Sequence, residues 1–208
     1  MVLTVHHLNQ SRSQRILWLL EELGAPYDIK FYERDKTTNL APPELKAVHP
    51  LGKSPVVTDE GQTIIESGAI VDYIIRKFGD GRLQPVEGTA QYTSYIEWLH
   101  YAEGSAMLPL MLKMYTGRLG EAGAPLQPRI DSEMANHLGY IEGALEGRDY
   151  LLGDLTGADI QVSFVGELAA MFGQRANHPN IDAWVKRFQA RPAYKKALER
   201  GGPYSFAS

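Results

Sequence analysis

The 208-residue chain contains no cysteine. That absence removes disulfides, thiolate metal ligands, enzyme-borne thiol nucleophiles and Cys-x-x-Cys exchange, so any sulfur chemistry must come from a substrate or co-substrate. An excess of positive charge is also missing: 21 Lys and Arg stand against 25 Asp and Glu, for a net charge of −4. Phosphate contacts need a cationic footprint, so this balance argues against nucleic acid and anionic membranes as partners. The longest apolar cluster, Ile16 to Leu20, is far short of a membrane span. Residues 1–10 alternate and lack a basic region followed by an apolar one, so the expectation is a soluble, cytoplasmic protein. His49, His137 and His178 show no zinc-ligand spacing, and His6 and His7, adjacent on a strand-like segment, point to opposite faces and cannot share a metal. Phosphate-binding glycine motifs are absent.

What is present is an ordinary globular composition, 44% apolar and 22% charged, enough for one sizeable domain or two small ones. Residues 3–8 alternate as a strand. A polar turn, Asn9 to Ser13, leads into a helix-like run from Arg15 to Leu23, with Gly24 placed for a left-handed cap. Tyr27 to Tyr32 alternates again, with Tyr27, Ile29 and Phe31 on one face, so the opening unit reads β-α-β with parallel strands. After a polar connector with a short helix near Glu44, residues 56–58 and 63–65 form a hairpin around Asp59-Glu60-Gly61. A helix follows whose stripe is Ile70, Val71, Ile74, Ile75 and Phe78. A mixed four-stranded sheet with helices against it fits this order. Residues 80–88 shift toward glycine and proline, which places a linker there, between domains at 1–79 and 89–208. Beyond it every periodic segment is helical, including a capping-box pattern from Thr156 to Asp159.

Three local features could carry chemistry. Ser11 sits at a strand-to-helix turn, where backbone N–H groups and the helix dipole favour an anion. A free thiol titrates near ~8.5, and one charge-assisted hydrogen bond is worth roughly 1.5–3 kcal/mol, enough to lower a bound thiol by roughly one to two units. Read by position alone, Ser11 or Ser13 better suits a plain helix cap. Ser54-Pro55 precedes the hairpin strand, where a cis bond would leave the Ser54 backbone free to pair with an extended ligand. Glu66-Ser67 opens the next helix and suits the ammonium and carboxylate of an amino acid.

Taken together, the serine turn, Lys53-Ser54-Pro55, Glu66-Ser67, the glycine-bounded linker and the all-helical second half resemble a cytosolic glutathione S-transferase. The resemblance covers essentially the whole chain. Within the family it is nearest the bacterial and fungal subgroup whose first helix opens Ser-Arg-Ser-x-Arg, with theta-like serine enzymes similar around Ser11-Arg12. It implies an α/β thioredoxin-like N-terminal domain plus an all-α C-terminal domain, and a homodimer with glutathione as co-substrate and no metal. Ser11, with Ser13 as the nearby second serine, would steady the glutathione thiolate. Asn9, Ser54 before a cis Pro55, Glu66 and Ser67 would hold the tripeptide, with Lys53 and Leu40 toward its carboxylates. Glu103 would reach across a dimer, and His100, Tyr101, Met107, Met111 and Tyr115 would meet a small apolar electrophile. The implied reactions are conjugation or reduction of organic hydroperoxides. A non-catalytic interaction module of the same fold, or a glutathione-dependent isomerase or dehalogenase, stands as the alternative.

Overall fold

A computed structural model describes residues 2–207. The chain runs β1 (Leu3–Leu8), α1 (Gln14–Leu23), β2 (Tyr27–Tyr32), α2 (Glu44–Val48), β3 (Val56–Asp59), β4 (Gln62–Ile64) and α3 (Ser67–Phe78). It continues through α4 (Ala90–Tyr101), a π-helical turn (Ala102–Ala106), α5 (Met107–Gly117), α6 (Gln127–Ala144), α7 (Gly157–Met171), α8 (Pro179–Gln189) and α9 (Pro192–Gly201). Its packing forms two compact units, one ending at Gln84 and rejoined by the chain from Phe188 onward, the other spanning Pro85–Arg187.

In the first unit the strands are ordered β2-β1-β3-β4, with β1 and β2 parallel and the other pairs antiparallel. This is the mixed sheet expected from the element order. Helix α1 is apolar around most of its circumference, and Ile16, Leu17, Trp18, Leu19 and Leu20 are all fully buried. Such a helix needs cover on every side, and α3 and α9 supply part of it. Gly24 ends α1 in the left-handed conformation at φ 66°, its N–H returning to the Glu21 carbonyl. The expected apolar face of β2 is only partly realised. Tyr27 is buried at 5%, but Phe31 on the same face is 59% exposed.

The C-terminal segment packs with the first unit through an aromatic and ionic seam. Trp18 stacks on Phe188 at 5.1 Å and meets the edge of Tyr194 at 5.5 Å. Arg191 grips the Glu22 carboxylate, while Lys196 and Arg200 converge on Glu21, and Arg200 lies 3.8 Å over the Tyr27 ring. Lys196 and Arg200, on the last helix, are therefore partly structural.

In the second unit, the Thr156 capping box is complete. The Asp159 carboxylate is fully buried, and accepts from Leu151 N–H at 2.9 Å, Thr156 N–H at 2.9 Å and the Trp184 indole at 3.1 Å. One side chain thus fastens the start of α7 to α8. Asp159→Ala orphans those donors together and should cost about 3 kcal/mol or more, seen as a lower urea midpoint with an unchanged slope. A loss below about 1 kcal/mol would show that solvent replaces the carboxylate.

Candidate active site

Strand register gathers the chemistry-bearing residues of the first unit. His6 pairs with Val56 and Val57 with Ile64, so the same alignments, continued outward, bring Leu8, Ser54-Pro55 and Glu66 to one end of three neighbouring strands. Helix α1 begins just beyond β1, and α3 just beyond β4. Two helix N-termini therefore open at the same sheet end, and both favour negative charge there.

The turn from Asn9 to Ser13 is held on both sides. Arg34, just past β2, donates its backbone N–H to Asn9 Oδ1 at 2.9 Å and its guanidinium to the carbonyls of Asn9, Gln10 and Asn39. Gln10, at φ 51°, donates its side-chain amide to the Pro203 carbonyl at 3.2 Å and accepts from Ser205 N–H at 2.8 Å. Neither anchor carries a sequence pattern, and each connects positions far apart in the chain.

Inside the turn the two serines do not act as a plain helix cap. Ser13 occupies the N-cap position of α1 yet makes no side-chain cap bond. Its fully buried Oγ lies 2.9 Å from His7 Nδ1 and accepts from Leu8 N–H at 3.2 Å. Ser13 Oγ therefore points into the fold. Ser11 is 4% exposed; its Oγ accepts from Ser13 N–H at 3.2 Å, donates to the Leu8 carbonyl at 2.7 Å and lies 2.8 Å from Ser13 Oγ. His7 completes the group, its Nε2–H donating to the Gly201 carbonyl at 3.1 Å.

The Ser54–Pro55 bond is cis, and Ser54 Oγ donates to the His6 carbonyl at 3.0 Å. Glu66 takes the N-cap position of α3 at φ 64°, with an exposed side chain. The Glu66 side chain makes no cap bond, and Ser67 is the first helical residue and buried. Positive φ at a non-glycine residue costs energy and clusters at ligand sites. Lys53 is exposed, and Leu40, 64% exposed, ends a loop organised by Asp35, whose carboxylate accepts from Thr37 and Thr38 N–H groups.

The expected electrophile residues lie on α4, the π-helical turn and α5 of the second unit. His100 and Tyr115 are exposed and Met111 is partly so. Met107 is buried at 2%, in one stripe with Ala106 and Leu110, so it belongs to that unit's core rather than to a substrate surface. The Tyr101 hydroxyl bonds to His137, its ring among Trp98 and Tyr140. Glu103 sits in the π-helical turn, a kind of helical irregularity frequent at functional sites. Among the described residues no cluster of His, Asp or Glu is arranged to hold a metal ion.

A mixed four-stranded sheet carrying two helix N-termini at one end, joined to an all-helical unit, defines the glutathione transferase class of architecture. Comparison agrees. Residues 1–76 match the model of the glutathione S-transferase N-terminal domain, and residues 99–192 that of the C-terminal domain. Glutathione S-transferase 3 of Schizosaccharomyces pombe is 34% identical, with 96% of this chain and 88% of that protein aligned. Glutathione S-transferase 1 of Saccharomyces cerevisiae is 31% identical, with 96% and 95% aligned. A crystal structure of a glutathione S-transferase from Actinobacillus pleuropneumoniae superposes with a TM-score of 0.90 at 34% identity, covering 99% of this chain and 95% of that one. The chain belongs to the glutathione S-transferase family.

Burial lowers the His7 pKa from its ordinary 6.5 to about 4. The unfolded chain therefore binds a proton that the folded one refuses, and stability complete above about pH 6.5 is lost as the pH falls toward 4. That one histidine should remove about 3 kcal/mol across this window. His7→Asn should flatten the decline when urea midpoints are compared at the two ends; an equally steep decline would assign it to other groups.

Proposed function

We propose that this transferase binds glutathione at the open sheet end of its first unit and activates the thiol there. The activated sulfur then serves conjugation to a small apolar electrophile or reduction of an organic hydroperoxide. The observation that carries this reading is the convergence of two helix N-termini and the Ser11 turn at one sheet end, in a chain without a cysteine of its own. A solved family member from Pseudomonas fluorescens, 26% identical with a TM-score of 0.80 and covering 95% of this chain and 92% of that one, carries two bound glutathione molecules.

In this reading residues 1–79 hold glutathione, 80–88 link, and 89–208 supply electrophile contacts. Ser11 turns its hydroxyl from the Leu8 carbonyl toward the sulfur as the thiolate forms. The Ser54 backbone pairs with the cysteinyl unit, Glu66 and the start of α3 take the zwitterionic γ-glutamyl end, and Lys53 meets the glycyl carboxylate. Asn9 acts indirectly, since its Oδ1 accepts from the Arg34 backbone. His100, Met111 and Tyr115 offer accessible side chains to the electrophile, and Glu103 reaches the glutathione ammonium of a second copy in a homodimer.

Ser11→Ala is the direct test. Losing one charge-assisted donor should lower kcat by about ten- to a hundredfold while the KM for glutathione stays within about twofold. Turnover equal to wild type would move thiolate stabilisation to the backbone N–H groups of the turn.

A further inference from the structure

Gly201, His7, Ser13, Ser11 and Leu8 form one buried line of polar contacts. Along it, Gly201 O to His7 Nε2 is 3.1 Å, His7 Nδ1 to Ser13 Oγ 2.9 Å, Ser13 Oγ to Ser11 Oγ 2.8 Å, and Ser11 Oγ to Leu8 O 2.7 Å. Both ends are carbonyl oxygens, which only accept, so each of these four contacts needs a hydrogen from within the line. A neutral imidazole brings one and each hydroxyl brings one, three in all. The Nε2–H goes to Gly201, and Nδ1 must then take the hydrogen of Ser13. That leaves the Ser11 hydrogen shared between Ser13 Oγ and the Leu8 carbonyl. The line is one proton short. Among the described residues no charged side chain is bonded to or paired with His7, whose ring also meets Phe31 edge-on at 5.8 Å.

We propose that this line accepts the proton of the glutathione thiol, with His7 as the positioning residue at its inner end. The proposal rests on the reading above that the sulfur docks against Ser11. The S–H bond breaks and its electron pair stays on sulfur. The proton passes to Ser11 Oγ as the hydrogen of Ser11 moves to Ser13 Oγ and that of Ser13 to His7 Nδ1. Every donor then points outward: imidazolium to Ser13, Ser13 to Ser11, and Ser11 to the thiolate. Burial keeps the imidazole neutral in the free protein, and the negative sulfur supplies the counter-charge it lacks. Once the sulfur has bonded to the electrophile, the proton returns along the same route to the anion that the reaction forms or releases.

Two variants separate this role from a structural one. In His7→Asn the amide oxygen replaces Nδ1 as the acceptor from Ser13 but cannot take up a proton. In His7→Gln the amide N–H reaches for the Gly201 carbonyl, and this variant carries the test should the first fail to fold. Each is mixed with glutathione in weak buffer containing an indicator dye, and protons released are compared with thiolate formed, read by ultraviolet absorbance. Wild type should release less than one proton per thiolate. The variants should release a full proton, with kcat at least about tenfold lower and the KM for glutathione unchanged. A full proton released by wild type, or variants matching wild type in proton count and kcat, would overturn the relay. Should Ser11→Ala lose activity while both His7 variants keep it, Ser11 retains its role and the relay falls. A fully active Ser11→Ala would remove both.

Discussion

The buried hydroxyl of Ser13 is the contact on which the first unit's functional end depends. It joins the last residue of β1, through Leu8 N–H, to the start of α1, and through His7 to the end of α9. A buried polar group left unpaired costs more than a made bond returns, so these contacts stand or fall together. Ser13 Oγ is thereby held between Leu8 N–H and His7, and Ser11 Oγ lies next to it at 2.8 Å. At the end of α9 the carbonyl of Gly201, which can only accept, sets the His7 tautomer with the hydrogen on Nε2.

Around that knot the site is mostly backbone. Two helix N-termini, the Ser54 main chain before a cis proline, and Glu66 at positive φ present donors and acceptors whose positions the sheet register fixes. Arg34 and Gln10 hold the turn from either side. Such a frame suits a flexible tripeptide, since donors already in place cost little to order when the ligand arrives. It also fits a protein without cysteine: the reactive sulfur comes with the ligand, and the protein supplies electrostatics and position.

Much of this was legible in the residues. Period-two and helical spacing placed the strands of the sheet and the helices against it, Gly24 marked the end of α1, and Thr156 with Asp159 marked the start of α7. The Ser54-Pro55 and Glu66-Ser67 pairs drew attention because each falls where an element begins. The rest was hidden because it rests on distant partners. Nothing near His7 announces Gly201, and nothing near Gln10 announces Ser205. Spacing alone likewise could not separate Met107, packed into its unit's core, from Met111 a turn later, nor show that Ser13 at an N-cap turns away from its own helix.

The central claim is that the turn at Ser11 makes glutathione's thiol acidic. Titrating the thiolate absorbance of the enzyme–glutathione complex against pH measures this directly. A midpoint roughly one to two units below the free thiol's ~8.5 is the expected result. A midpoint unshifted from the free thiol would contradict activation at this site, whatever the fold's ability to bind the tripeptide.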